Sequence, residues 1–163
     1  MAKVLTREIR EADVEIVVRM VHDLATYEKS SNECRMTVER LREALFSATP
    51  ALFGHVAKVD ERLVGFVLWF LNFSTWTGTH GVYGEDMYVE PEYRGQGVGR
   101  ALFEAMARVC VERGYQRLEF WTLDWNTGTI AFTTSLGAKP MDEWTVYRIS
   151  GAELAELGDA CAG

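Results

Sequence analysis

Apolar side chains recur along this chain with two different periods. Val98, Ala101, Leu102, Ala105, Met106 and Val109 follow one another at alternating steps of three and one. A 3.6-residue period gathers them into a single stripe, which predicts a long helix. Arg113 falls in its last turn, and Gly114 fits as a left-handed cap. Val14, Val17, Val18, Val21 and Leu24 predict an earlier helix, capped by Asp13 and fading near Tyr27. Leu41 and Leu45 mark a second helix that starts at Thr37. Runs rich in β-branched and aromatic residues at 4–10, 52–59, 63–72, 82–90, 117–123 and 145–149 predict strands. Asp60 and Glu61 turn the chain between the second and third runs, and Pro91, which has no N–H for a ladder, ends the fourth. Asn126 caps a predicted helix reaching Leu136, with Gly137 as its stop. Thr127, Gly128, Thr129, Thr133 and Thr134 form helix poorly, so Ile130, Phe132 and Leu136 must hold that segment by packing. A short helix is predicted over 152–157.

Strands cluster mid-chain and alternate with helices afterwards. That order predicts a mixed α/β (α+β) fold, with helices on both faces of a sheet. The 163 residues suit a single domain spanning 1–163. Apolar residues make up 48% and charged residues 25%, the balance of an ordinary water-soluble globular protein. No apolar run approaches about 18 residues, so no membrane partner is expected. The formal charge of −7 repels phosphate backbones, so nucleic acid is not expected as a partner either. It suits a cationic ligand or a plain solvated surface. Cys34, Cys110 and Cys161 are widely spaced, with neither a CxxC pair nor zinc-ligand spacing. They point to a reducing, cytoplasmic setting. The first residues carry no continuous apolar stretch of the kind a secretory leader needs. His22, His55 and His80 show no metal-ligand spacing, so no metal is expected, and no nucleophile elbow is present.

The most informative stretch runs from Glu85 to Arg100. A strand ends at Pro91, and then Arg94-Gly95-Gln96-Gly97-Val98-Gly99-Arg100 opens the long helix. Glycines admit positive φ and close approach of a ligand to the backbone. The helix start adds free N–H groups and the positive end of its dipole, which together suit phosphate. Arg94 and Arg100 can add charge to a pyrophosphate. The loop is not a Walker motif, because no Gly-Lys-Ser/Thr follows. Its GxGxG spacing also departs from the dinucleotide GxGxxG.

This loop resembles the Arg/Gln-x-x-Gly-x-Gly/Ala pyrophosphate motif of the GNAT superfamily of acyl-CoA N-acyltransferases. The order of elements is similar to that fold from about residue 4 to residue 150. A narrower resemblance links the chain to the diamine/polyamine (spermidine/spermine-type) and thialysine acetyltransferases. It rests on Ala25-Thr26-Tyr27-Glu28, Val64-Gly65-Phe66, Trp76-Thr77-Gly78, Tyr83 through Val89, Trp125-Asn126 and Trp144. The resemblance implies a mostly antiparallel sheet of about six to seven strands, whose central strands splay to admit acetyl-CoA as co-substrate. Backbone groups of Met87, Tyr88 and Val89 would then meet the pantetheine arm. Amides over Gly95, Gln96, Gly97, Val98, Gly99 and Arg100 would hold the pyrophosphate, and Asn126 would contact the cofactor from across the cleft. A homodimer is implied as well.

The expected reaction is direct attack of a neutral primary amine on the thioester carbon. It needs positioning, an oxyanion donor and a proton acceptor. Glu85 and Asp86 are adjacent on a strand, so alternation sends them to opposite faces. One of them can bind an ammonium and take its proton. Glu85 matches the polyamine-enzyme motif, while Asp86 serves either as that group or as a structural acceptor. Tyr27, Glu28 and Glu33 belong to the loop that lines the acceptor pocket in the resembling enzymes, where Glu28 and Glu33 either hold a distal ammonium or are solvated loop residues. Trp76 and Trp144 are candidate aromatic walls beside Tyr27. The family's tyrosine acid is replaced by Thr133, whose hydroxyl is far less acidic than a phenol. Catalysis is therefore expected not to depend on a tyrosine there. The acceptor expected is a diamine, polyamine or lysine-like compound. The alternatives are a protein lysine or N-terminus, or a non-catalytic acyl-CoA-binding module.

Overall fold

The computed structural model describes residues 3–160. Cys161, singled out above, lies outside them. The chain divides into two compact units, 1–123 and 124–163. In the first unit the elements run β1 (Leu5–Glu8), α1 (Val14–Tyr27), α2 (Val38–Phe46), β2 (Phe53–Val59), β3 (Arg62–Ser74), β4 (Thr79–Val89), α3 (Val98–Arg113) and β5 (Leu118–Phe120). The sheet order is β1-β2-β3-β4-β5. The first three pairings are antiparallel, and β5 joins β4 in parallel.

β3 explains why the helices take both faces. Every residue from Leu63 to Trp69 is buried, as expected of a strand covered above and below. Phe66 and Leu68 belong to the core formed with Val17, Met20 and Leu24 of α1 and Leu41 and Leu45 of α2. Gly65, one step out of phase, faces the other way. A Cβ there would meet Val98 and Leu102 of α3 at 3.3 and 3.4 Å, and the Tyr88 carbonyl at 2.8 Å. The α3 stripe predicted from spacing is buried at Val98, Leu102, Ala105, Met106 and Val109. Gly114 takes the left-handed cap at φ 70°. Asp60 and Glu61 both adopt positive φ, 46° and 66°, as a two-residue hairpin turn requires.

Five expectations change. Asp13 does not cap α1 through its side chain. A 3-10 turn over Glu11–Asp13 precedes the helix, and the carboxylate turns back to the Arg10 N–H at 2.8 Å and to Arg7 at 2.6 and 2.9 Å. That pairing ties the end of β1 to the start of α1 and holds the Asp13 carboxyl below its usual range. The sheet has five strands among the described residues, against the six to seven expected. Residues 145–149 form no strand, because strand propensity builds no ladder without a neighbour to pair with. β5 is shorter than the run that predicted it, and β4 begins earlier because the β3–β4 hairpin extends to Ser74↔Thr79.

The second unit holds α4 (Thr127–Ser135) and α5 (Gly151–Asp159). Asn126 caps α4 by accepting from the Thr129 N–H at 3.2 Å, and Gly137 follows at φ 95°.

Candidate active site

The site begins with an irregularity in β4. Leu68 pairs with Asp86 but Trp69 pairs with Gly84, so Glu85 is an extra residue bulged out of the ladder. The bulge breaks the strict alternation assumed above. Glu85 is exposed, while Asp86 is turned inward and half-buried. The β4–β5 ladder stops just before it, at Gly84↔Phe120. From Glu85 to Val89, β4 runs on with no strand on that side among the described residues. The Glu90 N–H donates to the Val64 carbonyl at 2.9 Å. With the β3–β4 register, alternation then directs the Tyr88 backbone toward β3. The N–H and C=O groups of Met87 and Val89 point to the open side, where the Val89 carbonyl already accepts from Arg94 Nε. Of the three backbone contacts expected for a pantetheine arm, Met87 and Val89 are offered and Tyr88 is not.

Beyond β4 the chain makes a 3-10 turn over Pro91–Tyr93 and enters the glycine loop. Gly95 and Gly97 lie at φ 72° and 88°, and a Cβ at either would meet nothing within 4 Å. The glycines are there for backbone shape, and open space lies beside them. Gly97 is the N-cap of α3. Its carbonyl accepts from the Ala101 N–H, so the N–H groups of Val98, Gly99 and Arg100 form the free first turn. The residues present fit a pyrophosphate. The Gln96 side chain donates to the Glu92 carbonyl at 2.7 Å and braces the loop. Arg94 is also engaged. Its Nε donates to the Val89 carbonyl at 3.0 Å, and its guanidinium lies 5.0 Å from the Tyr27 ring and 5.6 Å from the Tyr88 ring. Arg94 therefore ties the loop to β4 and to the end of α1.

Asp86 lines a cavity of about 350 Å³ with Val21, Cys34, Arg35, Met36 and Arg40. Burial pushes its carboxyl up to about 6, and the negative charges of Glu85 and Glu28 add to the rise. Burial alone raises the Glu28 carboxyl, at the C-terminal end of α1. The loop opposite is fixed to α1, because His22 Nε2–H donates to the Met36 carbonyl at 3.0 Å. A carboxyl poised near 6 can bind an ammonium and accept its proton in neutral solution.

The structure brings together Tyr27, Glu28, Glu85, Asp86 and Arg94. It does not bring Trp76 to them. Trp76 is 88% exposed at the tip of the β3–β4 hairpin, six ladder steps or roughly 20 Å from Asp86. Glu33 is exposed. In the second unit, Trp144 is exposed, and the buried Thr133 hydroxyl donates within its own helix to the carbonyls of Thr129 at 2.9 Å and Ile130 at 3.2 Å. Arg35 and Arg40 escaped the sequence reading. They look like ordinary charges flanking a short polar segment, and only folding brings them to the cavity that Asp86 lines.

Residues 18–138 match the Acetyltransferase (GNAT) family. The chain is 36% identical over 168 residues to thialysine N-epsilon-acetyltransferase of Sus scrofa, a match covering 96% of this chain and 98% of that protein. It is 24% identical over 161 residues to spermidine/spermine N(1)-acetyltransferase-like protein 1 of Homo sapiens, covering 93% of this chain and 23% of that one. The solved structure of aminoglycoside N-acetyltransferase AAC(6')-Iy in complex with CoA shares the fold, with a TM-score of 0.73 at 18% identity over 93% of this chain and 97% of that one.

Proposed function

The chain belongs to the acetyltransferase (GNAT) family, and we propose that it acetylates the primary amine of a small cationic acceptor, with Asp86 receiving the amine's proton. One observation carries the reading: a carboxyl with a pKa of about 6 lines a cavity, on the segment of β4 that runs on past the end of its ladder with β5. The names of the relatives, one for thialysine and one for spermidine and spermine, agree with such an acceptor.

Acetyl-CoA supplies the acetyl thioester. Gly95 to Arg100 and the first turn of α3 hold its pyrophosphate through backbone N–H groups, with Arg100 adding charge. The Met87 and Val89 backbone hydrogen-bonds the pantetheine arm, and one of these N–H groups is placed to polarise the thioester carbonyl. Asp86, supported by Glu28 and Glu85, holds the ammonium, takes its proton and leaves the nitrogen nucleophilic. Tyr27, fixed by Arg94, borders the acceptor side. Asn126 and Trp144 are assigned to the same centre on family resemblance, as parts of one acetyltransferase domain spanning 1–163. The family match supports that span by crossing the boundary between the two compact units. We place the protein in the cytoplasm as a homodimer. The spaced cysteines support the first assignment. The exposed apolar residues Val146, Tyr147 and Ile149, in a strand-prone segment, support the second. Among the described residues no helix is long and apolar enough to cross a membrane.

The test is release of CoA thiol from acetyl-CoA with a panel of diamines, polyamines, lysine analogues, amine antibiotics and a lysine peptide. Release with small amines is expected. Release with the peptide alone would move the acceptor to protein. Tight acetyl-CoA binding with no release from any amine would favour a binding module.

A further inference from the structure

The cavity that holds Asp86 is lined by charges of opposite sign, the arginines among them exposed. Asp86 is one pole, with Glu28 and Glu85 close enough to act on it. Arg35 and Arg40 are the other. Val21, Cys34 and Met36 line the same cavity and give it apolar and sulfur-bearing walls.

The two arginines differ in how they are held. Arg40 Nη1 donates to the Arg35 carbonyl at 2.8 Å, and its own N–H is capped by Thr37. Arg40 thus pins the backbone from which Arg35 extends. The Arg35 guanidinium itself has no hydrogen-bond or ion-pair partner among the described residues. It is a planar fork of donors, open to a ligand on the same cavity that an unneutralised aspartate lines. Such a fork matches a carboxylate.

A polyamine or diamine fits these charges badly. Its first ammonium would meet Asp86, but its next would lie toward two arginines. An amino acid with a side-chain ammonium satisfies both poles, and its methylene or thioether chain would lie along Val21 and Met36. This extends the acetyltransferase reading above and rests on it. We propose that Arg35, supported by Arg40, binds the α-carboxylate of a lysine-like amino acid whose side-chain ammonium lies against Asp86, so that the cavity selects amino acids over polyamines.

The experiment uses the full chain and acceptors that differ only at the carboxylate. They are S-(2-aminoethyl)-L-cysteine, its carboxamide and bis(2-aminoethyl) sulfide, with spermidine added. Thiol release is measured for the unaltered protein, Arg35→Ala, Arg35→Lys and Arg35→Glu. The unaltered protein should prefer the free acid to the carboxamide and the diamine by about tenfold to hundredfold in kcat/KM, the range expected for a charged hydrogen-bonded contact. Arg35→Ala should remove most of that preference by raising KM for the acid while leaving its kcat within about threefold. Arg35→Lys should restore part of it, and Arg35→Glu should lower KM for the diamine and reverse the order. Arg35 is exposed and its guanidinium makes no hydrogen bond or ion pair among the described residues, so these variants are expected to keep the fold, which an unchanged acetyl-CoA affinity will verify. Equal use of acid, carboxamide and diamine, or a preference that survives Arg35→Ala, overturns the carboxylate assignment alone. No thiol release with any acceptor overturns the small-amine reading and this assignment with it.

Discussion

The two ends of the β4 segment are built from different materials. The proposed cofactor end is backbone: two glycines at positive φ, the first turn of α3 and the side of Met87 and Val89 that faces no strand among the described residues. The proposed acceptor end is side chain: Asp86 and Glu28 with Arg35 and Arg40, brought together from β4, the end of α1, the loop after it and α2. A backbone site needs a particular chain path and tolerates changes in most side chains around it. A side-chain site keeps its path under substitution but loses its chemistry with one atom. One region can therefore be broken through conformation and the other through charge, and the two failures have different signatures.

The largest effect is expected from Asp86→Asn. If Asp86 takes the amine's proton, kcat/KM should fall by about a hundredfold or more, within the range for a positioned acid–base group. Acetyl-CoA affinity should stay put, since the loop is untouched. In the unaltered protein, kcat/KM should rise through a step near pH 6 as Asp86 loses its proton. The step should be missing from the residual activity of the variant. A retained step would assign the titration to another group.

Gly97→Val tests the other end. At φ 88° a β-branched residue is strained although open space surrounds it. Acetyl-CoA should bind about tenfold to hundredfold more weakly, from strain of roughly 1–2 kcal/mol plus loss of the loop's shape. Gly114→Val is the control, because Gly114 also sits at positive φ (70°) with nothing near it, but at the far end of α3. It should lower the melting temperature and leave affinity alone. Equal loss of affinity in both variants would show that the effect comes from destabilising α3 rather than from the phosphate loop.

The contrast also decides what could be read in advance. The glycine loop was legible because its signal is local: Arg-Gly-Gln-Gly-Val-Gly-Arg before an amphipathic stripe specifies turn, helix start and dipole within seven residues. α1, α2 and α3 were legible for the same reason, their stripes lying within single segments. The Glu85 bulge was not, because it is a property of pairing between β3 and β4 and not of either strand. Without it, alternation put Glu85 and Asp86 on equal terms, and the family motif favoured Glu85. The bulge exposes Glu85 and turns Asp86 inward. Residues 145–149 failed in the opposite direction. Their composition favours a strand, but a ladder depends on a neighbour. Arg35 had no local signature at all.

Asp86 also makes a smaller prediction, about stability. Its pKa in the folded chain is about 6, against an ordinary 3.8. Between those values the folded state holds more protons than the unfolded one, so stability falls as pH rises from about 4 to about 6 and stays lower above. The penalty above pH 6 is about 2 kcal/mol, from a shift of that size in a carboxyl that keeps some solvent contact. Asp86→Asn should therefore melt higher than the unaltered protein at pH 8 and level with it near pH 4. The same substitution would remove activity and add stability, the signature of a charge kept for function. A variant that is less stable at pH 8 would instead make Asp86 a structural acceptor.

The smallest effect is expected at Thr133. An acid for the leaving thiolate must have a proton to give, and the Thr133 hydroxyl already donates its proton to the carbonyls of Thr129 and Ile130. Delivering that proton elsewhere would mean giving up the hydrogen bond inside the helix, from a group much less acidic than a phenol. A thiolate is also a better leaving group than an alkoxide and needs protonation less. Thr133→Val keeps the shape of a residue only 5% exposed and removes the hydroxyl. Turnover should change by no more than about threefold, well below the hundredfold scale of a working acid–base group. If the rate instead collapses while acetyl-CoA affinity holds, the hydroxyl turns outward during the reaction, and the proton path runs through α4 as well as through Asp86.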